Sequence, residues 1–123
     1  MGYTAYVLSH NSRRALQKIF PPKYTRFIGE HITYKFGVNS DHPLPSDKAK
    51  IKVIGYAEDK NGLEALVVSI NGSSRRPDGK VFHITWSLER KFKPVDSNRV
   101  IASKGIQYLE NQIDIQCFPM YLK

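Results

Sequence analysis

From Val81 to Leu88 a large apolar side chain occupies every second position: Phe82, Ile84, Trp86 and Leu88 on one side, Val81, His83, Thr85 and Ser87 on the other. The same period runs from Arg26 to Phe36, with Ile28, Ile32, Tyr34 and Phe36 against Phe27, Gly29, His31, Thr33 and Lys35, Glu30 alone being out of phase. A period of two marks an extended strand that packs one face and leaves the other open. Two such stretches commit the chain to a sheet with a buried side and an available side.

The remaining elements fit around these strands. Tyr3 to Leu8 reads as a short strand. Ser9 or Asn11 can cap a helix in which Leu16, Ile19 and Phe20 recur at helical spacing from Arg13 to Phe20, and Pro21-Pro22 stops it. Gly37 to Asp47 is a loop rich in Asn, Ser, Asp and Pro. Ile51–Ala57 and Leu63–Ile70 read as strands, and Asn61-Gly62 between them is a strong hairpin signal. Asn71 to Gly79 is a polar connection. Pro94 to Ser103 is a short helical or looped segment capped by Asp96 or Ser97, and Ile106 to Leu122 holds one or two last strands. The expected fold is a compact α+β domain over residues 1–123, with a mainly antiparallel sheet and one or two helices.

Nineteen basic against eleven acidic side chains leave a net charge of +8, and such a field concentrates anions such as RNA or nucleotides. No apolar run approaches the ~20 residues that cross a bilayer, so no membrane association is expected. The start, MGYTAYVLSH, is not expected to be a secretory leader, and Tyr6 breaks the myristoylation pattern. The lone Cys117 reads as a small buried residue and provides neither a disulfide nor a cysteine zinc cage. A cytoplasmic protein is expected.

Chemistry enters with a repeat. His31-Ile32-Thr33-Tyr34 and His83-Ile84-Thr85-Trp86 are one motif written twice, each copy in phase with its strand. Ile and the aromatic residue point to the packed side, while His and Thr share the open one. Imidazoles titrate near neutrality, so one can accept a proton while its twin donates one. In-line displacement at a phosphodiester needs both acts. Thr33 and Thr85 can donate hydrogen bonds to the non-bridging phosphate oxygens. No metal is required by such a scheme, and neither a metal nor an organic cofactor is expected.

The doubled His-x-Thr with hydrophobic neighbours resembles the two-histidine (2H) phosphoesterase superfamily. That group includes RNA 2′,5′-ligase-like proteins, 2′,3′-cyclic nucleotide phosphodiesterases, the cyclic phosphodiesterase domain of tRNA ligases, and viral enzymes that degrade signalling oligonucleotides. The resemblance implies two related α+β lobes around a central cleft, with His31 and His83 as acid–base pair and Thr33 and Thr85 as phosphate binders. It implies a nucleotide or RNA substrate carrying a 2′,3′-cyclic phosphate, a 2′-5′ linkage or a cyclic oligonucleotide. Size and charge would also suit a phage-encoded protein acting in the host cytoplasm.

Other residues have two readings each. Lys35 and Ser87 follow the two motifs on the histidine side; Lys35 is either a phosphate contact or a solvated lysine. Arg75 and Arg76 are either a phosphate clamp or a solvated loop tip. Tyr3 can stack a base or pack in the sheet, whereas Tyr6 is assigned to the core. His10 and His42 have no partner at metal-ligand spacing. Glycine-rich phosphate loops, the Gly-x-Ser-x-Gly elbow and the dinucleotide fingerprint are absent. The competing functional classes are a non-catalytic RNA or nucleotide binder using a basic β-surface, and a protein-interaction module.

Overall fold

A computed structural model describes residues 1–123. The chain is α+β, with two antiparallel sheets and two helices. Strands β1 (Gly2–Leu8), β3 (His31–Val38) and β8 (Cys117–Leu122) form a three-stranded sheet in the order β3-β1-β8. Strands β2 (Arg26–Phe27), β4 (Ile51–Asp59), β5 (Leu63–Ile70), β6 (His83–Leu88) and β7 (Gln107–Ile115) form a five-stranded one in the order β2-β6-β5-β4-β7. Helix α1 spans His10–Ile19 and helix α2 Asp96–Lys104. No helix is long and apolar enough to cross a membrane.

The larger core joins both sheets. Tyr6, Leu8 and Ile32 from the small sheet meet Val53, Leu66, Val68, Ile84 and Trp86 from the large one, together with Leu16 of α1. A second cluster on the far face of the large sheet packs Ala65, Val67 and Leu88 against Val100 and Ile101 of α2. Strand β5 is thus covered on both sides and buried at every position, which accounts for its nearly continuous apolar run. The β4–β5 hairpin closes at Asn61-Gly62 as expected, with the Gly62 amide donating to the Asp59 carbonyl at 2.9 Å and Gly62 at φ +138°.

Several expectations are corrected. Ser9, one of the two expected caps, does cap α1, its Oγ accepting from the Ser12 amide at 3.1 Å, but the helix starts at His10 rather than Arg13. Ile19 is largely exposed and only Leu16 of α1 is buried. Val95 occupies the cap position of α2, so neither Asp96 nor Ser97 caps it; the Asp96 carboxylate instead accepts from the Lys93 amide at 2.8 Å.

The main correction concerns Arg26–Phe36, which is not one strand. The chain leaves the large sheet after Phe27, turns at Gly29 (φ +51°), and enters the small sheet at His31. A Cβ at Gly29 would lie 2.6 Å from the Phe27 ring and 2.9 Å from that of Trp86. Arg13 of α1 clamps this crossover, donating to the carbonyls of Gly29 (2.8 Å) and Ile28 (2.9 Å) while its guanidinium lies 4.3 Å from the centre of the Phe27 ring. The alternation survives on both sides of the turn, so composition alone does not show the break. As a result the two copies of the motif stand in different sheets.

Candidate active site

The two copies of the motif share a local irregularity. Opposite β1, pairing passes from Thr33 to Lys35, leaving Tyr34 as the extra residue; opposite β5, it passes from Thr85 to Ser87, leaving Trp86. A bulge reverses the pleat beyond it. In both strands, therefore, His and Thr keep one face and the residue after the aromatic is turned to the other. Lys35 lies opposite Thr4 rather than beside His31. Ser87 is fully buried opposite Glu64, donates to its carboxylate and accepts from the Tyr24 amide. Neither lines the cleft, which corrects both assignments. The same bulge carries Phe36, expected in the core, onto the face of His31 and Thr33, where it is 69% exposed and stacks on Tyr3 at 6.0 Å.

His31, Thr33, His83 and Thr85 line a single cleft of about 440 Å³. Tyr3, Phe36, Arg26 and Glu30 also line it, as do Arg76, Asp78 and Lys80 of the turn before β6 and Pro94, Val95 and Asn98 at the start of α2. The His83 ring is 9% exposed, and its Nδ1 lies 2.9 Å from the Val81 carbonyl. A carbonyl only accepts, so Nδ1 carries the proton and the neutral ring keeps its Nε2 lone pair free. Burial lowers the His83 pKa to about 4, the positive charges of Arg76, His31 and Lys80 acting in the same direction against the Val81 hydrogen bond. His31 is also lowered by burial, with Glu30 opposing the shift. Its Nε2 stands 3.4 Å from the Tyr3 hydroxyl.

The two threonines differ. Thr33 is half-buried in the cleft wall. Thr85 is buried, with its hydroxyl 2.8 Å from Ser97 Oγ and 3.2 Å from the Pro94 carbonyl, to which it donates. A hydroxyl has one proton, so Thr85 can serve an anion only by releasing Pro94, with Ser97 then donating to Thr85.

The arginine pair is divided. Arg76 is buried and forms a two-pronged pair with Asp78 (3.1 and 2.6 Å) that holds the turn in the cleft wall. Burial alone would raise the Asp78 carboxyl, but the Arg76 hydrogen bonds and the Lys80 amide outweigh it and hold the group below its usual range. Arg75 is exposed, bonds the Gly79 carbonyl at 2.9 Å and lies outside the cleft. No group of three His, Cys, Asp or Glu side chains is arranged to hold a metal ion. Lys80, Arg26 and Asn98 were not singled out in the sequence. For Lys80 the signal was available, since it ends the Pro77-Asp78-Gly79 turn directly before the motif strand; Asn98, on a weakly patterned helix, gave none. Comparison with protein-family models, with curated proteins and with solved structures finds no match to this chain.

Proposed function

We propose that the protein is a two-histidine phosphodiesterase acting on a nucleotide or RNA phosphodiester, with an architecture of the two-lobed 2H type. The observation that carries this reading is the meeting of both His-x-Thr copies in one cleft although their strands belong to different sheets. The neutral Nε2 of His83 takes the proton of the attacking water or ribose hydroxyl as its oxygen bonds to phosphorus. The bond from phosphorus to the leaving oxygen breaks, and that oxygen receives a proton from charged His31. Thr33, and Thr85 once it turns from Pro94, donate to the non-bridging oxygens; Lys80 and Arg26 add positive field. The stacked Tyr3–Phe36 pair offers a face for a base.

The assignment has a pH signature. His83 must be neutral and His31 charged, and both titrate below the ordinary histidine value. The maximum of kcat/KM is therefore expected on the acid side of pH 6.5. The direct test assays 2′,3′-cyclic nucleotides, 2′-5′ oligoadenylates and cyclic di- and trinucleotides in the presence of EDTA. His31→Ala and His83→Ala should each lower kcat by about 10²–10⁴-fold. Parent protein that cleaves nothing in the panel, or a double variant as active as the parent, overturns the reading. Salt-sensitive RNA binding untouched by either substitution would identify a binding domain instead.

A further inference from the structure

A second cavity of about 480 Å³ adjoins the histidine cleft and shares two lining residues with it, Lys80 and Asn98. Beyond them its walls carry Arg75, Ile106 and Tyr108, and no acidic residue lines it. Tyr108 is 67% exposed, so its ring offers a face on which a base can stack. Arg75 is tied by one nitrogen to Gly79, which fixes the guanidinium beside the groove and leaves its other donors available. Asn98, which lines both cavities, is held by its Nδ2 donating to the Val95 carbonyl at 3.3 Å.

We infer that this groove holds the nucleotides flanking the scissile linkage, so that the substrate is a single-stranded oligoribonucleotide rather than an isolated mononucleotide. The strand passes from the histidines across Lys80 and Asn98, places a backbone phosphate on Arg75 and stacks a base on Tyr108. An aromatic face with a cation beside it is the combination that takes single strands with little base preference. The inference rests on the phosphodiesterase reading of the adjoining cleft, but it can fail separately.

The test titrates the full chain carrying His31→Ala, to prevent turnover, with fluorescein-labelled hexauridylate, and uses uridine 2′,3′-cyclic monophosphate as competitor. Adding Tyr108→Leu should weaken hexamer binding about tenfold. Arg75→Gln should reduce the slope of log affinity against log salt by about 0.7. The competitor's inhibition constant should stay as it is in both. Both side chains are exposed, so folding is not at stake. Hexamer affinity and salt slope indifferent to both substitutions overturn the inference, as does an equal loss for hexamer and mononucleotide. Should the parent cleave no nucleotide while hexamer binding still depends on Tyr108 and Arg75, the groove stands and the phosphodiesterase reading falls. Cleavage of the cyclic mononucleotide alongside groove variants that bind the hexamer normally gives the reverse.

Discussion

The His83 imidazole is enclosed by protein on nearly every side, yet it is an ionisable group at the centre of the proposed chemistry. That placement links the site to the stability of the fold. In the unfolded chain the ring titrates near 6.5, in the folded one near 4, so over that window the unfolded state binds more protons. Stability from this residue is complete above the higher value and is lost as pH falls toward the lower. Between about pH 7 and about pH 5 the loss should be about 2 kcal/mol, read from urea midpoints at the two pH values. His83→Gln cannot charge, so it should remove this share of the acid sensitivity while lowering stability at neutral pH; an unchanged pH dependence would contradict the burial argument. His31 and His83, Thr33 and Thr85 were legible as candidate residues because a four-residue repeat in phase with the pleat stands out in composition. What Thr85 bonds to was not legible, because Pro94 and Ser97 reach it only through the packing of α2 on the large sheet.

At the scale of the element, alternation identified strands well and their partners poorly. Strand β6 and the Asn61-Gly62 hairpin follow from local chemistry, since a pleat and a tight turn are each set by a few adjacent residues. The change of sheet at Gly29 and the bulges at Tyr34 and Trp86 depend on what lies opposite, and a strand read alone carries no record of its register. For that reason Lys35, Ser87 and Phe36 were each assigned to the wrong face. Gly29 is where this matters most for stability. An alanine there combines a left-handed backbone angle with a methyl group driven into the Phe27 and Trp86 rings. Gly29→Ala should cost about 2–4 kcal/mol, measured by chemical denaturation. It should also impair activity more than stability alone explains, because Gly29 sets the step between the two histidine strands.

The α+β class of the whole molecule was apparent from the sequence, whereas the assignment of each strand to one sheet or the other was not, because long-range pairing decides it. The small sheet has an unusual order in the chain: its central strand is β1, at the N-terminus, and one of its two neighbours is β8, the last element. Only Gln116 separates β8 from β7 of the other sheet, and it is held by the Ser9 amide on its carbonyl (2.9 Å) and by Ser12 Oγ on its own amide (2.8 Å). Strand β1 is flanked on both sides only once residues 117–122 pair with it, and pairings this distant in sequence form slowly. The half of the cleft that carries His31 thus depends on a pairing between segments more than 100 residues apart. Removing residues 117–123 should leave α1 and the large sheet largely intact by circular dichroism while exposing an edge of β1 and abolishing turnover. The proposed site therefore rests on a junction of one residue, and whatever loosens Gln116 from α1 separates the two histidines while leaving the strand pairs that carry them in place.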